Sequence, residues 1–401
     1  MLIAFCLPAA LLIYLSFKSF RGGVAYLRYV RGELAKPCSS FMPFVSVIAP
    51  CKGLDEGMEQ NLRTLLEQDF PAYEVIFVVD DEDDPAVRVI KSISHKDMDR
   101  VRLVIAPKAV ESAQKVENLR EAVLYVSDES RVFVFADSDA RPPKDWLRSL
   151  VASLENERVG AATGYRWFIS PKPSFASELR SAWNASIASA LGPNSGTNFC
   201  WGGSTAIRRD LFDQLDIRAK WKGTLSDDFT LTKAVKEANL KIHFVPRALI
   251  PSIENCTFSE LLEFTTRQMK ITRVYAPTLW LLSFIGSGLF NVTMIWAIWI
   301  MIVNSPVNIS FWIAAVTVLL VSVFSIGKSW IRLKAVRLVM TEHAGKLEKQ
   351  FWPQNMLWLL APALFLYNSI AALLSRQMTW RRTRYELVSA TETRIISRIQ
   401  N

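Results

Sequence analysis

The chain has 401 residues, 50% apolar and 11% aromatic, and 47 basic against 38 acidic side chains leave it a net charge of +9. That composition excludes a disordered or low-complexity protein and is sufficient for a globular core plus further apolar segments. The basic excess sits beside the apolar segments, and no zinc-finger, RRM or helix-turn-helix spacing accompanies it, which points to anionic lipid headgroups and not to nucleic acid.

The first apolar run, LIAFCLPAALLIYLSF (2–17), is followed by Lys18, Arg21, Arg28 and Arg31. It lacks the basic n-region and small-residue cleavage site of a signal peptide, so residues 1–40 read as an uncleaved anchor with a basic juxtamembrane segment.

From residue 44 to residue 165 short apolar runs alternate with amphipathic stretches. FVSVIAP, YEVIFVV, VRLVIA and RVFVFA read as buried parallel strands. The segment carrying Met58, Leu62, Leu65 and Leu66, then AVRVIKSI and VENLREAVLYV, read as crossover helices. The pattern predicts an α/β domain with a mostly parallel sheet over 41–250. Ligands of such sheets bind beyond the carboxyl ends of the strands. Polar clusters fall at those ends: Cys51-Lys52-Gly53, the acidic stretch Asp80 to Asp84, and Asp137-Ser138-Asp139.

Residues two apart in an extended segment share a side, so Asp137 and Asp139 can converge on one point, and their hard oxygens suit Mg2+ or Mn2+. A solvated turn capping the helix at KDWLRSLV accounts for the same residues. Asp84 before Pro85 fits an N-cap with proline at the first helical position, compatible with carboxylates at Asp80 and Asp84 meeting a base or ribose. Asp227 and Asp228 open an amphipathic helix, as caps or as the source of a general base. In CWGGSTAIRRD (200–210), Gly203 either lets the backbone approach a sugar or belongs to a strand-end turn. Cys6, Cys38, Cys51, Cys200 and Cys256 form no CxxC and are expected to be reduced and mostly buried. His95, His243 and His343 are too scattered for a metal box.

FSELLEFTTRQMKITRVYAP reads as an amphipathic interfacial helix within 251–276, with Leu261, Leu262 and Phe264 facing lipid or the domain. Arg267 and Lys270 on it are either headgroup contacts or ligands of an anionic substrate. Segments 278–303 and 310–327 carry no ionised side chain and are long enough to span a bilayer. The segment 355–374 carries Pro362 and has basic residues on both flanks, which conflicts with a simple crossing and leaves two readings, a span or a re-entrant hairpin kinked at Pro362. Residues 277–375 thus form the membrane region and 376–401 a basic cytosolic tail, with the central domain also cytosolic. The membrane favoured is a bacterial inner membrane, with the cytosolic face of a Golgi membrane as the alternative.

PCKGLDEGMEQNLRTLLEQDFPAYEVIFVVDDEDDPAVRVI, DSDARPP, SDDFTLTKAV and TWRRTRYEL follow one another between about residues 44 and 386. Together they resemble the ceramide glucosyltransferase family of membrane-bound, metal-dependent, inverting glycosyltransferases, related to family 2. The resemblance implies a GT-A fold, a UDP-sugar donor, a divalent cation (Mn2+ or Mg2+) and a membrane-lipid acceptor. It implies that Asp84 contacts the nucleotide, where Lys52 and Asp80 at the neighbouring strand ends are expected to join it, that Asp137 with Asp139 binds metal and diphosphate, and that Asp228 is the general base. Gly203 and Asp227 would line the donor and acceptor pocket. The family's (R/Q)xxRW element appears as RQMKI (267–271), which keeps Arg267 but has Lys270 and Ile271 in place of arginine and tryptophan. Trp380, Arg381, Arg384 and Tyr385 match a basic-aromatic motif that closes the site or binds headgroups, while Arg382 and Thr383 depart from it.

Such a chain is expected to transfer a hexose, glucose from UDP-glucose in the first place, with inversion to the hydroxyl of a lipid such as ceramide. Competing expectations are diacylglycerol or another lipid as acceptor, a processive polysaccharide synthase, and a non-catalytic nucleotide-sugar-binding membrane scaffold.

Overall fold

Val-, Ile- and Phe-rich runs too short to cross a bilayer satisfy their backbone groups by pairing with one another. The computed structural model describes residues 2–37, 39–95, 97 and 99–398, so Cys38 lies outside the described residues. Two compact units result, one comprising Glu33–Pro171, Ala190–Glu254 and Arg376–Asn401, the other Met1–Gly32, Lys172–Ser189 and Asn255–Ser375.

The first unit is built on strands β1 (Val45–Pro50), β2 (Tyr73–Val79), β3 (Val101–Ile105), β4 (Val132–Ala136), β5 (Val159–Ile169), β6 (Ser204–Arg208) and β7 (Lys241–Ile253). They form one sheet in the order β3-β2-β1-β4-β6-β5-β7. β1 is parallel to both β2 and β4, β2 to β3, and β5 to β7. Only β6 is reversed, antiparallel to β4 and β5. Every residue of β2 and β4 is buried, as expected of strands covered on both faces by crossover helices. The first three connections place β2 and β3 on one side of β1 and β4 on the other. This change of direction makes the carboxyl ends of β1 and β4 the switch point of the sheet, where sheets of this type bind ligands.

The described part of the basic tail, up to residue 398, is folded and groups with this unit. β8 (Gln377–Trp380), β9 (Thr383–Leu387) and β10 (Thr393–Arg398) form an antiparallel sheet. Arg381 and Arg382, at φ 47° and 64°, make the two-residue connection that a tight hairpin requires with both residues left-handed. Tyr385 and Leu387 anchor the sheet in the unit's core, and the Gln114 N–H donates to the Tyr385 hydroxyl at 3.3 Å.

The second unit contains three helices long and apolar enough to cross a membrane: Leu2–Leu34, Pro277–Val303 and Ile309–Val339. The first does not end at residue 17 but continues through its basic residues. Phe351–Leu359 and Ala361–Leu374 form a pair bent by 56°, a broken span or a re-entrant loop. Pro362 lies in the first turn of the second member, where its missing N–H costs no helical bond.

Helix Phe175–Ala188 falls inside the predicted 41–250 domain yet clusters with the membrane unit. Its apolar face decides this, since Ala176, Leu179 and Trp183 pack with Leu261 and Leu364. The Trp183 and Phe365 rings stack with centroids 4.9 Å apart. Helix Phe258–Tyr275 starts at a Thr257–Glu260 capping box, and its Leu262 and Phe264 pack against that same cluster, so these side chains face neighbouring helices.

Glu178 is 6% exposed on Phe175–Ala188, and burial pushes its carboxyl up from 4.5 to about 7. The neutral form is therefore the one the fold favours: its contribution is fully present below the ordinary value and is lost as pH rises through about 7. Glu178→Gln is expected to raise Tm at pH 8, by on the order of 2 kcal/mol of stability, and to leave it unchanged near pH 4. Thermal scans at both values check this; a difference independent of pH contradicts it.

Candidate functional site

The chain leaves β4 in a turn, with the Ala140 N–H donating to the Asp137 carbonyl at 3.1 Å. Asp137 and Asp139 therefore do not meet by extended-strand alternation. They are drawn together by Arg166 of β5, whose guanidinium forks to Asp137 Oδ2 at 2.9 Å and Asp139 Oδ2 at 3.2 Å. Lys115, in the first turn of helix Gln114–Ala122, donates to Asp137 Oδ1 at 2.8 Å and lies 3.4 Å from Asp227 Oδ1. The Arg166 guanidinium sits 4.6 Å over the Trp201 ring.

These contacts pull the carboxyl groups apart electrostatically. Burial pushes Asp137 up, but Lys115 and Arg166 outweigh it and hold the group below the ordinary carboxylate value. Asp139 is raised, by burial first, with the charges of Asp137 and Asp55 adding and Arg166 opposing. Burial raises Asp227 as well, to about 6, against Lys115 and with Asp228 and Asp137 adding.

Because β6 is antiparallel to β4, with Ser204 opposite Ala136, the residues preceding β6 lie over the aspartate turn. A Cβ on Gly203 would come within 2.3 Å of the Trp201 ring and 2.7 Å of Asp137 Oδ2, and one on Gly202 within 2.3 Å of Asp227 Oδ2. At Gly203 the Trp201 ring leaves room for glycine alone, whereas at Gly202 the crowding atoms are the ends of the Asp227 and Lys115 side chains. Gly203→Ala is expected to displace the loop by about 1 Å, lowering kcat about 100-fold at a stability cost of about 1–3 kcal/mol. Steady-state kinetics with a parallel Tm measurement checks it; wild-type kinetics would contradict the packing argument.

Helix Asp227–Glu237 begins beneath this loop, N-capped by Ser226. Asp228 Oδ1 accepts from the Phe229 N–H at 2.8 Å and from the Ser226 hydroxyl, and Oδ2 accepts from the Gly202 N–H at 3.3 Å. Asp228 remains partly exposed, whereas Asp227 is buried. Asp137, Asp139, Asp227, Asp228 and Gly203 thus converge.

A second cluster lies at the ends of β1 and β2. Lys52 Nζ donates to Asp80 Oδ1 at 2.6 Å and is 3.5 Å from Asp84 Oδ2, while Lys108 pairs with Asp80 and Asp81. Asp84 is the predicted N-cap: Oδ1 accepts from the Ala86 N–H at 3.0 Å and from the Gly53 N–H at 2.9 Å. It ties the β1 loop to the helix after β2.

The tail turn reaches the aspartate turn through Asp55. Arg381 pairs with Asp55 Oδ1 at 2.5 Å, and the Ser138 hydroxyl donates to Asp55 Oδ2 at 3.0 Å. Arg384 instead donates to Gln377 Oε1 at 2.7 Å within the tail sheet, and Trp380 is half-buried in β8. Arg141, adjacent to the aspartate turn, donates to Asn61 Oδ1 at 3.0 Å. Arg267 and Lys270 belong to the membrane unit, on Phe258–Tyr275. Arg267 lies 3.7 Å from Glu263 and over the Phe264 ring, and burial lowers Lys270.

Lys115, Arg166, Trp201 and Asp55 had not been singled out from sequence. Lys115 carried a signal, since a cation in the first turn opposes the helix dipole and needs a carboxylate partner. Arg166 is a lone cation among the aromatic residues of GYRWF in a buried strand, a weaker signal.

Among the described residues no group of three His, Cys, Asp or Glu side chains could hold a metal. Lys115 and Arg166 engage three of the four oxygens of Asp137 and Asp139. The fourth, Asp139 Oδ1, is buried without a hydrogen-bond partner. An orphaned carboxylate oxygen beside a second carboxylate fits a Mg2+-type cation that takes one or two carboxylates and completes its shell with substrate phosphates.

A family model described as Glycosyl transferase family 21 matches residues 3–393. Ceramide glucosyltransferase 1 of Caenorhabditis elegans is 20% identical over 230 residues, 56% of this chain and 48% of that protein. Hyaluronan synthase of Streptococcus pyogenes is 28% identical over 124 residues, 30% of this chain and 29% of that protein. The chain therefore spans less than half the length of these curated relatives. A solved mannosyltransferase from Pyrobaculum calidifontis, in complex with GDP-Man and Mn2+, is 18% identical, with 90% of this chain and 99% of that chain covered and a TM-score of 0.45.

Proposed function

Because the chain belongs to glycosyl transferase family 21, we propose that it transfers a hexose, glucose from UDP-glucose in the first place, with inversion to the hydroxyl of a membrane lipid such as ceramide. The chain is a glycosyltransferase with a GT-A domain and membrane-spanning helices. The observation that carries the finer reading is the meeting of Asp137 and Asp139 with Lys115, Arg166 and Asp228 beside the sheet's switch point.

In this reading the acceptor oxygen attacks the anomeric carbon of the sugar from the face opposite the diphosphate. The bond from that carbon to the diphosphate oxygen breaks, and its electron pair leaves with the UDP. The acceptor's proton passes to the Asp228 carboxylate, a general base whose partly exposed position beside Gly202 leaves it open to the hydroxyl. Lys115 and Arg166 supply fixed positive charge where negative charge develops on the diphosphate. A divalent cation, Mn2+ or Mg2+, held by Asp137 and Asp139 would add Lewis-acid neutralisation of the same group.

Lys52, Asp80 and Asp84 would receive the nucleotide, Asp84 also bracing the loops around it. Gly203 and Asp227 would form the sugar pocket, and Trp380, Arg381 and Arg384 its margin toward the acceptor. Arg267 and Lys270 are assigned to the departing diphosphate on the family resemblance. The basic residues flanking the spans favour a cytosolic catalytic domain, at a bacterial inner membrane before a Golgi membrane.

The hyaluronan synthase match favours a second reading, a processive polysaccharide synthase. Incubating membranes containing the protein with labelled UDP-glucose, Mn2+ and either ceramide or diacylglycerol separates the two. A labelled glycolipid is expected. No labelled lipid with any acceptor would sink the first reading, and a long labelled polymer would establish the second.

A further inference from the structure

We propose that Arg166 is a built-in counter-cation that keeps the Asp137–Asp139 pair from taking a divalent cation until a nucleoside diphosphate arrives, so that metal and nucleotide bind as one unit. The inference rests on the reading of these aspartates as the metal carboxylates.

The geometry supplies the argument. Arg166 bridges the two carboxylates at 2.9 Å and 3.2 Å, taking one oxygen of each that a metal held by this pair would need. Its guanidinium is not a loose surface group: it lies 4.6 Å over the Trp201 ring and 5.7 Å over the Phe168 ring, and its side chain is 12% exposed. With Lys115 on Asp137 Oδ1, one unengaged oxygen remains in the pair, Asp139 Oδ1. A single unengaged oxygen, in a pair whose other three oxygens already hold two fixed cations, is a poor site for a divalent cation, since like charges repel in a low-dielectric site. A diphosphate reverses the balance. Its oxygens match the planar guanidinium fork and attract Lys115, releasing the carboxylate oxygens while supplying metal ligands of their own.

The test is Mn2+ binding to the full-length protein in lipid nanodiscs, read from the electron paramagnetic resonance of free Mn2+, with and without UDP. Wild-type protein is expected to bind Mn2+ about tenfold more tightly in the presence of UDP. Arg166→Met is expected to bind Mn2+ about tenfold more tightly than wild type without UDP, and to gain little from adding it. Should that variant not fold, Arg166→Lys retains a charge without the fork and is expected to show a smaller gain of the same sign. Equal Mn2+ affinity of the wild type with and without UDP, or unchanged Mn2+ affinity in the folded variant, would overturn the proposal. UDP binding measured separately by calorimetry distinguishes the two readings: a protein that never binds UDP refutes the nucleotide-sugar function, whereas the Mn2+ affinity of the nucleotide-free variant still decides the role of Arg166.

Discussion

Asp228→Asn is expected to lower kcat by about 10²- to 10⁴-fold, the usual contribution of a general base, while UDP affinity and Tm stay near wild type. The amide keeps the shape of the carboxylate and one acceptor oxygen. It can still accept from the Phe229 or Gly202 N–H at the start of helix Asp227–Glu237. Asparagine is also tolerated near a helix N-terminus, so loss of capping is not the dominant effect. What it cannot do is take a proton from the acceptor hydroxyl. Pre-steady-state and steady-state turnover of purified protein, set beside the lipid profile of cells carrying the variant, measures this. An unchanged glycolipid profile would favour a binding scaffold over an enzyme, and a variant that loses Tm in proportion to kcat would make Asp228 a cap and not a base.

Asp137→Ala should act mainly on stability and ligand binding. Asp137, Lys115 and Arg166 are each less than a fifth exposed, so the attraction among them is only partly screened. Removing the central carboxylate leaves two buried cations with diminished compensation, a change that costs about 3–5 kcal/mol where no other partner remains. Here Lys115 keeps Asp227 at 3.4 Å and Arg166 keeps Asp139 at 3.2 Å, which places the loss toward the lower end. For a unit of this size that corresponds to a Tm lowered by roughly 6–12 °C.

The pH dependence has a definite sign. Asp137 titrates below its ordinary value of 3.8 in the fold, so its contribution is present above that value and is lost as pH falls through the lower folded value. The Tm difference between wild type and Asp137→Ala should therefore be constant from about pH 6 to 8 and shrink only below about pH 4. A difference that grew on acidification would mean that another group carries the interaction.

Much of the scaffold was legible because its signals are local. β1 to β4 are short apolar runs bounded by polar turns, and a period of that kind survives in sequence whatever the neighbours are. The same holds for the Asp84–Pro85 helix start and for the three bilayer-length helices, whose apolar length is itself the physical requirement. β5 was less legible: its 11 residues include Gly164 and Arg166 and form no plain apolar run, since the strand carries part of the site. The tail sheet was hidden for a related reason, as its turn is Arg381-Arg382 where a tight hairpin normally announces itself with asparagine or glycine.

DSD, SDD and WGG could be recognised as short polar stretches, but each was compatible with capping or a turn. Their meeting depends on strand order. β6 runs against β4, which brings Gly202 and Gly203 over Asp137, and β5 lies one strand further on, from where Arg166 reaches both aspartates. Helix Phe175–Ala188 likewise joined the membrane unit through distant partners, Leu261 and Leu364. Element type, helix caps and membrane-length segments follow from spacing along the chain, because the forces behind them act within a few residues. The pairing of each charge follows from contacts between residues far apart in sequence, which exist only once the sheet has closed.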